Sequence, residues 1–240
     1  MNHSIIVALD VSTMEELQDL LNSLRKVRPY VKVGMELYYK YGPELVRQLK
    51  AEGFHVFLDL KLHDIPTTVY KAMRGLATLD LDMVNVHAAG GEEMMSAAIQ
   101  GLEEGITAGR TRPICLAVTQ LTSTNQQMLE SELLINMPME KVVNAYGLMA
   151  HKSGCDGVVC SPQEVAGIKR TIAQQFVTVT PGIRLTGDDK NDQKRLATPK
   201  EARKMGSDFI VVGRSITQAK DPFTAYERVQ KEWSEVHVNA

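Results

Sequence analysis

The chain has 240 residues, 44% of them apolar and 23% charged, with a formal net charge of -2. That length suits one large domain and lies near the ~250 residues of an α/β barrel. The balanced charge argues against a broad basic surface for nucleic acid, and no apolar run approaches the ~18 residues of a membrane span.

Strand-like and helix-like segments alternate from the start. Residues 4–10 form a β-branched apolar run that ends at Asp10; with no basic stretch before it, the run does not read as a signal peptide. Ser12-Thr13-Met14-Glu15 has the form of a capping box, and Met14, Leu17, Leu20, Leu21 and Leu24 repeat on one helical face. Tyr30–Gly34 reads as a second strand, residues 43–52 as a helix stopped by Gly53, and residues 54–59 as a third strand. Pro66 suits the first turn of a helix that runs to about Leu79. Met83–His87 and residues 91–104 repeat the strand and helix pattern.

Residues 113–119 are the fifth strand, followed by a long polar stretch (120–137) and a helix over 138–152. Strands at 157–160, 176–180 and 208–212 complete the set. Ser161-Pro162-Gln163-Glu164 and Thr198-Pro199-Lys200-Glu201 open their helices with a cap and a proline, and a last amphipathic helix spans about 222–236. Eight strand–helix units without a linker are expected to close as a single-domain (β/α)8 TIM barrel over residues 1–240. A doubly wound open sheet competes, weakened by the absence of G-x-G-x-x-G after the first strand. The three cysteines lack metal-ligand spacing and read as the reduced thiols of a cytoplasmic protein. The twelve methionines and the single Trp233 read as core packing.

In such a barrel the C-terminal strand ends build the site. They carry Asp10, Lys32, Asp59 with Lys61, Asn85 with His87, Thr119-Gln120 followed by Thr122, Thr180–Arg184, and Gly213-Arg214-Ser215. Asp59 and Lys61 are two apart, so a strand projects them from one face, and Asp64 follows where the chain turns. A surface salt-bridge cluster is the bland alternative. His87 reads as a structural histidine before a catalyst, and Glu36, Glu92 and Glu93 as helix-entry or solvent charges. Residues 181–195 form a connection about three times the usual βα loop length, as lids and binding loops do. With Gly213 they read as a phosphate gripper whose donors are Arg184, Gln193 and Arg214; an ordinary solvated loop is the alternative. Two aspartates could hold Mg2+, but Lys32 and Lys61 supply their counter-charge and would repel a dication. A metal-free proton-transfer site is the expectation.

Asp59-x-Lys61-x-x-Asp64-Ile65-Pro66-x-Thr68 resembles the signature of the orotidine 5'-phosphate decarboxylase family. The resemblance extends to Ala8-Leu9-Asp10, Lys32-Val33-Gly34, Val118–Thr122, Thr180–Arg184, Asp192-Gln193 and Val212–Ser215, with no departure at a motif position. It implies conversion of orotidine 5'-phosphate to UMP and CO2 in pyrimidine biosynthesis, without cofactor. By the same resemblance, Asp10 and Lys32 would bind the ribose, Lys32 would also link to Asp59, and Asp59 would hold Lys61 and press on the substrate carboxylate. Lys61 would protonate C6, Thr122 would touch the ring, and Arg184, Gln193, Gly213 and Arg214 would take the phosphate. Asp64, Ile65 and Thr68 would enter the neighbouring subunit's site, which implies a homodimer. Two alternatives stand beside this: a Mg2+-dependent sugar-phosphate decarboxylase or epimerase on the same barrel, and a non-catalytic barrel that binds a phosphate ligand.

Overall fold

The computed structural model describes residues 4–185 and 196–235. Along the chain run β1 (Ile5–Ala8), α1 (Met14–Leu24), β2 (Tyr30–Gly34), α2 (Met35–Ala51), β3 (His55–Leu62) and α3 (Pro66–Leu76). Then come β4 (Met83–His87), α4 (Gly91–Gly105), β5 (Ile114–Val118), α5 (Gln126–Ser131), α6 (Met139–Lys152), β6 (Gly157–Val159) and α7 (Val165–Thr171). The chain continues with β7 (Val177–Thr180), α8 (Pro199–Lys204), β8 (Phe209–Val212), α9 (Arg214–Thr217) and α10 (Pro222–Ser234). Every strand is parallel to its neighbours, and β1 pairs with β8 through Ile6 opposite Val211, so the sheet closes into an eight-stranded barrel. That closure rules out the open doubly wound sheet.

The strands are apolar on both faces because each face is covered. Ile6, Ala8, Tyr30, Phe57, Met83, Leu116, Val179 and Val211 pack together as the plug inside the barrel. Ile5, Val7, Val31, Val33, Val56 and Leu58 belong to a second, larger layer with helix residues such as Leu17, Leu21, Leu45 and Val69. Trp233 is buried in that layer, with the Arg203 guanidinium 5.1 Å from its ring centre. Met73, Met83, Met94 and Met95 fill the core as expected, but Met35 and Met137 are exposed. All three cysteines are free and buried.

Local chemistry sets the element ends, with some differences from the expectations. The first capping box is Thr13 with Glu16, one residue later than expected, because the Glu16 carboxylate accepts from both Ser12 N (3.0 Å) and Thr13 N (3.1 Å). The helix expected over 43–52 forms the second part of α2; Gly42, at φ 65° and ψ -162°, breaks it from a first part beginning at Met35 that was not expected. The Ser161–Glu164 box caps a short 3-10 turn that leads into α7. The polar stretch after β5 contains α5, capped by Asn125, and the unanticipated α9 follows β8 directly.

At the N-terminal end of the barrel one device recurs three times. Asp82, Asp156 and Asp208, each just before an even-numbered strand, accept a backbone N–H from the preceding strand, at Val56, Cys115 and Thr178. Each also pairs with a base, Lys50, Arg112 and Lys169 respectively. These pairs tie strand starts together at the end opposite the candidate site, where a barrel's polar clusters serve stability.

Candidate active site

The charged floor is assembled by three neighbouring strand ends. β1 places Asp10 just past Ala8, which pairs with Lys32 of β2, and β2 ends with Gly34 opposite Asp59 of β3. Lys32 Nζ lies 3.3 Å from Asp10 Oδ1 and 3.3 Å from Asp59 Oδ2. Lys61 Nζ donates to Asp59 Oδ1 at 2.6 Å. Two ammonium groups and two carboxylates thus alternate in a chain with no net charge.

Asp59 and Lys61 do share a face, but not on a regular strand. The pairing of β3 with β4 shifts between Leu58 and Leu62, and Lys61 has φ 52°. A left-handed lysine is disfavoured by ~1–3 kcal/mol and must be held by its surroundings. Asn85 of β4 supplies part of that hold. Its Oδ1 accepts from Lys61 N at 2.8 Å, and its Nδ2 donates to Asp59 Oδ1 at 2.7 Å.

Electrostatics keep Asp59 and Lys32 ionised. Burial pushes the Asp59 carboxyl up, but Lys32 and Lys61, with the hydrogen bonds from Lys61 and Asn85, outweigh it and hold the group below its ordinary value. For Lys32, burial acts to lower the pKa, and Asp59 and Asp10 together raise it above its ordinary value. Burial, then the neighbouring His63 and Lys61, lower the pKa of His87, whose ring centre is 5.7 Å from that of His63. His87 does not line the cavity, in keeping with a structural histidine.

Above the floor lies a cavity of about 460 Å³, within the range of small-molecule sites. It is lined by Asp10, Lys32, Asp59 and Lys61, by Gln120, Thr122 and Ser123, and by Arg184, Gly213 and Arg214; a Cβ on Gly213 would come 3.5 Å from Asp10 Oδ2. Gly182, at φ 80°, turns the chain after β7 and directs it past Arg184. Ile183 bridges Ala197, Arg184 N donates to Ala197 O (3.0 Å), and Ala197 N donates to Gly182 O (3.1 Å). Both ends of the long connection are therefore clasped beside the cavity. Gln193 lies outside the described residues.

Eight of the expected residues thus meet around one cavity: Asp10, Lys32, Asp59, Lys61, Thr122, Arg184, Gly213 and Arg214. Asp64, Ile65 and Thr68 do not line it; all three are exposed at the entry to α3, where Asp64 Oδ1 accepts from Ile65 N. Asn85 and Gln120 were expected among the polar strand ends that build the site but without a role there, and Ser123 and Gln218 were not singled out. Asn85 and Gln120 did stand out as polar residues at the ends of apolar strands, but their partners are set by strand pairing. Among the described residues, no three of His, Cys, Asp and Glu cluster so as to hold a metal ion, and no helix is long and apolar enough to cross a membrane.

Residues 3–229 match the family described as "Orotidine 5'-phosphate decarboxylase / HUMPS family". The orotidine 5'-phosphate decarboxylase of Geobacillus sp. (strain WCH70) is 56% identical over 97% of this chain and 98% of its own. That of Bacillus mycoides (strain KBAB4) is 55% identical over 99% and 100%. Among solved structures, orotidine 5'-phosphate decarboxylase from Lactobacillus acidophilus superposes with a TM-score of 0.87 at 44% identity, over 97% of this chain and 99% of that one. An uncharacterized conserved protein from Geobacillus kaustophilus gives 0.86 at 50% identity, over 95% and 99%. On this evidence of sequence and fold together, the chain belongs to the orotidine 5'-phosphate decarboxylase / HUMPS family.

Proposed function

We propose that this protein decarboxylates orotidine 5'-phosphate to UMP and CO2 without a metal or cofactor. The observation that carries the reading is the Lys61 ammonium held 2.6 Å from Asp59 in a cavity that Arg184 and Arg214 also line. The full-length relatives at 55–56% identity bear that enzyme's name, which supports the same assignment within a family whose description covers more than one group.

In this reading Arg184, Gln193, Arg214 and the Gly213 backbone take the phosphate. Asp10 and Lys32 bind the ribose, and Thr122 meets the pyrimidine. The ring is then seated with its carboxylate beside Asp59. Two such charges ~4 Å apart repel by roughly 4 kcal/mol at an effective dielectric near 20. As the C6–carboxylate bond breaks, its electron pair stays on C6 and CO2 leaves. The Lys61 ammonium stabilises that carbanion and then transfers a proton to C6, leaving a neutral amine that solvent reprotonates. The repulsion fades and the attraction grows along the same coordinate, so the floor favours the transition state over the ground state. Phosphate binding, remote from C6, supplies energy to position the ring and exclude water.

The donor set fits this better than a Mg2+ site. Both Asp59 oxygens already face ammonium groups, and Oδ1 also accepts from Asn85. Asp64, Ile65 and Thr68, exposed here, serve the site of a second subunit in a homodimer, and Ile65, 67% exposed, gains cover there. Following orotidine 5'-phosphate by ultraviolet absorbance, with and without EDTA, tests the reading. Turnover unchanged by EDTA is expected; turnover abolished by EDTA would favour the metal-dependent sugar-phosphate chemistry.

A further inference from the structure

We propose that Asn85 is the positioning residue that aims Lys61: one carboxamide that fixes both the backbone bearing the ammonium and the carboxylate that holds it. The inference rests on the reaction proposed above but concerns a residue that lines neither that cavity nor its side pocket. Asn85 touches no substrate in this scheme and acts through its two neighbours.

The geometry leaves one arrangement of the amide. A backbone N–H can only donate, so Lys61 N must meet Oδ1, and an ionised carboxylate can only accept, so Asp59 must meet Nδ2. The Asp59 oxygen that accepts from Asn85 is the one that accepts from Lys61 Nζ. Asn85 therefore closes a ring through the Lys61 backbone, the Lys61 side chain and the Asp59 carboxylate. Where the β3–β4 ladder breaks, a β4 side chain takes the N–H that the ladder leaves unpaired. That bond holds Lys61 at φ 52°, and the second bond fixes the rotation of Asp59. Asn85 is 2% exposed, so no water replaces it without rearrangement.

Neither an apolar residue nor an acid can do both tasks. An alanine leaves Lys61 N and one Asp59 lone pair unmet in a buried place. An ionised aspartate can accept from Lys61 N but opposes Asp59. The titratable groups around that position are Asp59 and Lys61 on β3, Lys32 of β2 behind Asp59, and His87 of β4 with its neighbour His63; β5 offers Leu116 opposite.

The test uses the full-length protein, its Asn85→Ala variant and its Asn85→Asp variant. A misplacement near 1 Å costs about 10²-fold in rate, so Asn85→Ala is expected to lower kcat ~30- to 100-fold while UMP binding changes less than about threefold. Asn85→Asp is expected to gain activity as pH falls through the titration of the new carboxyl, whose protonated form can again donate to Asp59. The Asp59 carboxyl carbon, followed by 13C NMR, should titrate at higher pH in Asn85→Ala. That readout needs no turnover, so it separates failure of this inference from failure of the proposed reaction. If Asn85→Ala does not fold, the Asn85→Asp profile decides. A kcat within threefold of the parent, an unmoved Asp59 titration, or an Asn85→Asp pH profile parallel to the parent's would each overturn the inference.

Discussion

Lys32 stands between Asp10 and Asp59, 3.3 Å from an oxygen of each, and so couples the two carboxylates of the floor. Neither carboxylate is left to face the cavity without a cation. Asp59, buried between Lys32 and Lys61, is held below its ordinary pKa by their charges and by hydrogen bonds from Lys61 and Asn85, against the upward push of burial.

That dependence has a definite sign. Asp59 has a folded pKa below its unfolded value, so its stabilising contribution is complete above the unfolded value and is lost as pH falls through the folded one. Lys32 has a raised folded pKa, so its contribution is complete below the unfolded value and is lost only as pH rises through the folded one. Both groups therefore keep their charge across the neutral range. Lys32→Ala removes one of the two ammonium groups that hold Asp59 down and leaves its burial unopposed on that side. The acid limb of kcat/KM is expected to move up by at least about one pH unit. Coincident acid limbs for parent and variant would remove Lys32 from this role.

Arg214 opens α9 directly after β8 and lines the same cavity as Asp59 and Lys61. Its removal leaves a bound phosphate short of a charge-assisted pair, a loss of about 3–5 kcal/mol where water is excluded. Steady-state kinetics of Arg214→Ala should show a higher KM and a kcat/KM reduced by at least ~10²-fold. An unchanged kcat/KM would take Arg214 out of the phosphate site.

Exposure of Asp64 at the entry of α3 is expected if it serves a second subunit. Mixing Lys61→Ala and Asp64→Ala subunits after dissociation tests this, because each mixed dimer regains one site with both native residues. Two nearly inactive parents should give about a quarter of wild-type activity at equal mixing. Failure to recover activity, with mixed dimers shown to form, would confine Asp64 to its own barrel.

Much of this architecture is legible in the sequence because parallel strands are buried on both faces. Runs such as Ile5–Ala8 and Phe209–Val212 carry no alternation to misread, and Thr198 with Glu201 marks a helix start chemically. Lys32, Asp59 and Arg214 stand out because charges at the ends of apolar strands need partners. The obscure parts depend on pairing between distant segments. The break in β3 after Leu58 and the left-handed Lys61 are invisible to periodicity, since Asp59-x-Lys61 reads as an ordinary alternation. Asn85 gains its place only once β4 lies against β3. The start of α2 at Met35 was hidden by Gly42-Pro43, which reads as a helix start although helical turns already precede it.

The central claim is that Lys61 stabilises the carbanion and delivers its proton. Single-turnover and steady-state kinetics of Lys61→Ala with orotidine 5'-phosphate, beside UMP binding to the same variant, test it most directly. Loss of positioned proton transfer costs about 10²–10⁴-fold, and loss of carbanion stabilisation adds to that. The account predicts a kcat reduced by more than ~10³-fold with UMP affinity within about tenfold of the parent. A folded Lys61→Ala enzyme that turns over orotidine 5'-phosphate at a rate near the parent's would contradict it.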